Sequence, residues 1–252
     1  MITLLSAKGS PGVTTLGVAM ACARPETVLV EMDPAGGDLA LRAAVSQSPG
    51  LSELAVRARR ERGSAMPLGE FTQRLGSGAT VVVAPVGACA ASSMLSENNQ
   101  LAGIGGALSS AAARVVVDAG RCGTHVAALV AVGAMRVVVA RCDAASLGHA
   151  QALLREIGDQ HAIGLVLVET GGFRPKEAAA ELGAVLLGVL PWIPRHAERL
   201  TSSLVSQTPR GNRLVRAAAS VLGALDAWTA ASASAQEKNP LIDWLTRMEV
   251  SA

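Results

Sequence analysis

Short, β-branched apolar runs alternate along this chain with longer stretches rich in Ala, Leu and Arg. Such alternation reads as repeated strand–helix units, which close into a parallel sheet. The runs fall at residues 2–5, 27–32, 80–84, 114–117, 136–140, 163–168 and 185–189. Most are apolar at nearly every position, as a strand must be when helices cover both of its faces. Between them the pattern predicts helices at 14–23, 51–62, 68–75, 125–132, 144–160, 175–182 and 211–230. Residues 92–112 are rich in Ala, Ser and Gly and give no sharp helix limits. No linker divides this stretch, so residues 1–230 are expected to form a single doubly wound α/β domain with a mostly parallel sheet. Residues 231–240 (ASASAQEKNP) read as a flexible linker, and 241–252 as a short C-terminal amphipathic segment.

Composition removes several function classes. A hydrophobic share of 50% against 17% charged residues excludes a disordered chain. A formal net charge of +2 argues against a strongly basic nucleic-acid binder, and two Phe and three Trp without any Tyr are too few to stack on bases. DNA binding is therefore disfavoured. The basic run RARRER at 57–62 reads as a solvated helix face, with an acidic partner or DNA backbone as its alternative. The four cysteines (Cys22, Cys89, Cys122, Cys142) form no CxxC pair and the four histidines no HExxH, which argues against a disulfide framework and a zinc site. The apolar opening MITLLSA precedes the first positive charge, unlike a signal peptide, and no uninterrupted apolar run reaches the roughly 18–20 residues of a membrane span. These features predict a cytoplasmic protein.

The densest chemistry follows the first strand: Ser6-Ala7-Lys8-Gly9-Ser10-Pro11-Gly12-Val13-Thr14-Thr15. A strand–loop–helix turn of this kind aims backbone N–H groups and a positive helix end at one point, which suits phosphate. Thr14 is placed to ligate Mg²⁺ and Thr15 to donate to a phosphate. Lys8 is one of only three lysines, beside nineteen arginines, and it stands in the one loop where a compact ammonium would meet phosphate. A dinucleotide site of an oxidoreductase fits less well, because the loop does not read GxGxxG.

This loop resembles the deviant Walker A motif, KGGxGKTT, of the MinD/ParA family of P-loop ATPases. Two more motifs match in order. Val30-Glu31-Met32-Asp33-Pro34-Ala35-Gly36-Gly37-Asp38-Leu39 is similar to the segment carrying the family's catalytic aspartate and switch I. Val115-Val116-Val117-Asp118-Ala119-Gly120 resembles a Walker B strand with switch II after it. Gly188-Val189-Leu190-Pro191-Trp192 looks like the family's late strand and nucleotide-base loop. The resemblance spans residues 1–228 and implies a P-loop NTPase fold, ATP and Mg²⁺ as ligands, and a homodimer closed across the nucleotide.

Carried over position by position, the resemblance makes Lys8 the signature lysine that reaches the partner protomer's nucleotide. Gly9, Ser10, Gly12, Val13, Thr14, Thr15 and Pro191 become the nucleotide contacts. Thr14 becomes the Mg²⁺ ligand, Asp118 holds the ion through water, and Asp33 orients the attacking water; Asp38 falls in switch I. The catalytic set is thus Asp33, Lys8 and Asp118.

The departures are as informative. Val13 stands where the second, Walker lysine belongs, and Pro11 lacks an N–H where one commonly meets the β-phosphate. Ala7 and Ser10 replace further glycines. Losing one desolvated charge contact and one charge-assisted hydrogen bond amounts to about 3 kcal/mol, or about a hundredfold in affinity or rate. The sequence thus predicts an ATP-controlled dimeric switch with slow or impaired hydrolysis, serving positioning, partitioning or assembly of a cellular machine through a further protein partner. The alternative is a pseudo-ATPase scaffold that binds partners without hydrolysis.

In the C-terminal segment Leu241, Trp244, Leu245 and Met248 fall at i, i+3, i+4 and i+7 and make one apolar stripe. Few positive charges flank it, which favours docking on protein, with peripheral membrane contact through 241–250 as the alternative.

Overall fold

The computed structural model describes residues 1–9, 11–61, 66–96, 98–122, 135–157, 163–203 and 211–237. Among these residues eight strands form one sheet: β1 (Ile2–Ser6), β2 (Thr27–Glu31), β3 (Gln73–Arg74), β4 (Thr80–Val82), β5 (Arg114–Arg121), β6 (Met135–Arg141), β7 (Ile163–Glu169) and β8 (Val185–Pro191), in the order β3-β4-β2-β5-β1-β6-β7-β8. Every pairing is parallel except that of β3 with β4 at the edge. The helices are α1 (Val13–Ala23), α2 (Leu39–Ala43), α3 (Leu51–Arg60), α4 (Ala88–Ser96), α5 (Asn98–Ser109), α6 (Ala144–Ile157), α7 (Pro175–Glu181), α8 (Pro194–Thr201) and α9 (Arg213–Glu237). The expected doubly wound α/β class is the one observed.

Strand periodicity explains why both faces are apolar. Successive side chains point to opposite faces, and here each face has its own core. Leu5, Val30, Val82, Val117, Val138 and Leu165 pack with α3, α5, α6 and α7. Leu4, Leu29, Val81, Val116, Val139 and Val166 pack with α1, α2, α8 and α9. Central strands carry no solvated face, so the apolar runs are continuous.

Four details depart from the sequence pattern. Residues 68–75 were expected to be helical; they form a single 3₁₀ turn, Leu68–Phe71, and then β3. The cause is the turn that follows, where Gly78 takes a positive φ of 88° and Leu75 and Ala79 close a hairpin onto β4. Residues 92–112 resolve into the latter part of α4 and α5. Helices α2 and α8 follow Asp38 and Ile193 and were not anticipated; both are short, and α8 is strongly amphipathic with Pro194 in its first turn. Helix α9 continues to Glu237, seven residues past the limit of 230. The expected helix at 125–132 and the segment 241–252 lie outside the described residues.

Residues 213–231 of α9 are long and apolar enough to cross a membrane by composition, with mean hydropathy 1.2. Leu214, Ala218, Val221, Leu222 and Leu225 of this helix are nevertheless buried, and it packs on β8 and α1. In RARRER, Arg57 bonds Glu61 at 3.1 Å, pairs with Glu70 and lies over the Phe71 ring at 6.0 Å.

Candidate functional site

Loops leaving the carboxyl ends of parallel strands converge on one side of the sheet, and a cleft of about 920 Å³ lies there. Its wall includes Gly9, Gly12, Val13, Thr14 and Thr15 from the first loop and helix, Asp33 and Asp38 after β2, Gly120 and Arg121 at the end of β5, and Pro191 and Trp192 after β8. The three motifs separated in sequence by up to about a hundred residues are therefore brought to one place by the strand order β2-β5-β1. Ser10 lies outside the described residues. Lys8 is exposed and is not part of the cleft wall.

Gly120 is the junction. Its φ of +61° is left-handed, where glycine is at home. Its N–H donates to Asp118 Oδ1 at 3.0 Å, and its carbonyl accepts from Ser6 Oγ at 3.2 Å. A Cβ at this position would lie 2.1 Å from Asp33 Cγ and Oδ2, so the carboxyl of Asp33 rests directly on the Gly120 backbone. Asp33 in turn accepts the Ala35 N–H at 2.8 Å, an Asx-type turn that starts the loop toward α2. Loop Gly12 has φ +110° and ends where α1 begins.

Electrostatics single out two buried carboxylates among the described residues. Burial pushes Asp118 up to about 6, with the charges of Asp33 and Asp38 adding to the rise; the Thr14 hydroxyl and the Gly120 N–H oppose it. Asp118 Oδ2 has no hydrogen-bond partner of ordinary geometry, although it is shielded from solvent. A buried carboxylate oxygen left open beside a threonine hydroxyl is what a hydrated divalent cation would complete. Burial also raises Asp33, opposed by the Ala35 N–H and by the positive charge of Arg121. The residues thus fit Mg²⁺ well. They fit a phosphate chain in part: Gly9, Gly12 and Thr15 suit one, whereas Val13 is 5% exposed and packs in the core, and Pro11 brings no N–H.

The second buried carboxylate is Glu31, which motif matching left without a role. Its Oε1 accepts the N–H groups of Asp38 (2.7 Å) and Leu39 (3.1 Å), and its Oε2 accepts that of Ala84 (3.0 Å). Glu31 therefore fastens the start of α2 to the end of β4. Gly37 passes so close that a Cβ there would meet Ala84 O at 2.5 Å and Glu31 Oε2 at 2.6 Å. Burial raises the Glu31 carboxyl to about 7 against these three donors. Motif matching also missed Arg141, whose guanidinium lies over the Trp192 ring at 4.7 Å on the far wall, and Arg42, paired with Asp38 at 3.0 Å.

No protein-family model matches the sequence, and no curated protein matches it. Solved structures do. A ParA family ATPase from Chlorobium tepidum superposes with a TM-score of 0.68 at 16% identity, covering 89% of this chain and 98% of that one. The septum site-determining protein MinD from Pyrococcus horikoshii, complexed with Mg-ADP, gives 0.64 at 17% identity over 87% and 93%. The chain has the MinD/ParA fold. Cobyrinic acid a,c-diamide synthase from Mycobacterium smegmatis, with a bound ATP analogue and magnesium, matches with a TM-score of 0.60 at 15% identity over 90% and 95%. The MinD/ParA fold is thus shared with a synthase, so the reaction must be argued from the site and not from the fold.

Proposed function

We propose that this protein is a nucleotide-controlled switch of the MinD/ParA type, with ATP and Mg²⁺ as ligands and slow hydrolysis. The observation that carries the reading is the meeting at Gly120 of Asp33, Asp118 and Ser6, from which the first loop departs, with Asp118 Oδ2 buried and without a hydrogen-bond partner of ordinary geometry. Thr14 and Asp118, the latter through water, would hold the metal, and Gly9, Gly12, Val13 and Thr15 would line the phosphates, with Pro191 beside the base. Bound Mg²⁺ would neutralise phosphate charge. Asp33, held on Gly120 and by the Ala35 N–H, is fixed where it would orient a water at the floor of the cleft. The exposure of Lys8 supports its acting on a second protomer, so dimerisation would be the output and hydrolysis the reset. Spatial positioning, partitioning and assembly of a cellular machine are the roles open to such a switch, at a protein partner or a membrane surface.

The Pyrococcus MinD complexed with Mg-ADP and the Mycobacterium synthase with its ATP analogue and magnesium support these ligands. A second reading, a scaffold that never hydrolyses, is favoured by buried Val13 and by Pro11. The two separate on nucleotide binding, phosphate release and sedimentation of wild type, Asp33→Ala and Val13→Lys. Slow release by the wild type, lost in Asp33→Ala, supports the switch. A wild type inert toward ATP, activated only by Val13→Lys, supports the scaffold.

A further inference from the structure

Among the described residues, three arginines line the cleft: Arg42, Arg121 and Arg141. Arg42 is ion-paired with Asp38, and Arg141 is stacked on Trp192. The Arg121 side chain makes no hydrogen bond or ion pair among the described residues. It stands in register with Ser6, the residue from which the phosphate-type loop departs, and the next residue locks that register through a 2.7 Å bond from the Cys122 N–H to the Ser6 carbonyl. On its other side is Gly120, with the Asp33 carboxyl resting on it. Arg121 is therefore anchored between the base of the loop and Asp33, with an exposed side chain that lines the cleft.

The site needs such a cation. Asp33 and Asp38 line it and buried Asp118 is close enough to feel both charges, Val13 offers only apolar surface, and Lys8 lies off the wall. We propose that Arg121 is the cation this protomer supplies to the phosphate chain, delivered from the end of β5 in place of the lysine missing at position 13. A guanidinium suits this role because it stays charged at any working pH and pairs with phosphate oxygens through two parallel N–H bonds. Its positive charge acts on the Asp33 carboxyl, opposing the rise that burial causes.

The inference rests on the switch reading, and one binding experiment separates the two. Fluorescent ATP and ADP analogues with Mg²⁺ are titrated by anisotropy into full-length wild type, Arg121→Ala, Arg121→Gln, Arg121→Lys and the double variant Val13→Lys/Arg121→Ala, with circular dichroism confirming that each is folded. Removing the charge by Ala or Gln should weaken binding about tenfold or more, Lys should recover part of it, and the double variant should be rescued, because the cation is restored from the other side of the loop. Binding by Arg121→Ala and Arg121→Gln within about twofold of wild type overturns the inference and leaves the switch reading standing. Absence of nucleotide binding by the wild type overturns both.

Discussion

Glu31→Gln should flatten the pH dependence of stability between about pH 4.5 and 7. Burial lifts the Glu31 carboxyl from its ordinary 4.5 to about 7, in spite of the N–H groups of Ala84, Asp38 and Leu39 that favour its ionised form. Across that interval the folded protein keeps a proton that the unfolded chain has released, so stability falls as pH rises. At about 1.4 kcal/mol per pH unit, this carboxyl contributes about 3 kcal/mol that is present below about pH 4.5 and lost by about pH 7. Glutamine has nearly the same shape and does not titrate. With its carbonyl oxygen toward Asp38 and Leu39, its amide faces the Ala84 N–H, donor against donor, for a loss of about 1–3 kcal/mol at low pH. The variant should therefore be less stable than wild type at pH 5, and the gap should close or reverse by pH 8. Urea denaturation followed by circular dichroism at fixed ionic strength measures both curves. If wild type and Glu31→Gln run parallel from pH 5 to 8, the claim that burial governs this carboxyl is wrong.

Two further substitutions test the neighbouring geometry. Gly120→Ala forces a Cβ to 2.1 Å from the Asp33 carboxyl at a φ of +61°, so thermal unfolding should show a loss of about 1–3 kcal/mol; any phosphate release should fall with it, because Asp33 must move. Asp226, bonded to Arg24 at 2.8 Å and Arg114 at 2.7 Å, ties α9 to α1 and β5, and these arginines hold its carboxyl below the ordinary 3.8. The three side chains are 30–40% exposed, so Asp226→Asn should remove only about 1 kcal/mol at neutral pH. That difference should fade as acid protonates the wild-type carboxyl, which denaturation at pH 7 and pH 3 would show.

The fold was legible because its signal is redundant. Each of the seven apolar runs found in the sequence overlaps a strand, and a parallel sheet leaves them no solvated face to interrupt them. What escaped was short and context-dependent. The 68–75 stretch has a helical composition, but the Gly76-Ser77-Gly78 turn and the exposed edge of β4 recruit Gln73 and Arg74 into a strand. Helix α2 is only five residues long, too short for a period to register.

The site was legible where a motif fixes spacing and obscure where residues act on each other's backbones. Asp33 and Asp118 each follow directly on an apolar run that the pattern locates, at 27–32 and 114–117, so their convergence follows from strand order alone. Glu31 carried one overlooked signal: it is the single acid within Thr-Val-Leu-Val-Glu-Met, a run buried along its length. A carboxyl there must find donors, and the sheet's own N–H groups are already spent on neighbouring strands. Donors must then come from a loop whose backbone approaches closely, which side chains normally prevent. The Gly36-Gly37 pair that follows permits that approach, and the N–H groups of Asp38 and Leu39 arrive with it. The glycine pair and the buried acid are thus one feature, and together they hold the loop bearing Asp33 against the end of β4.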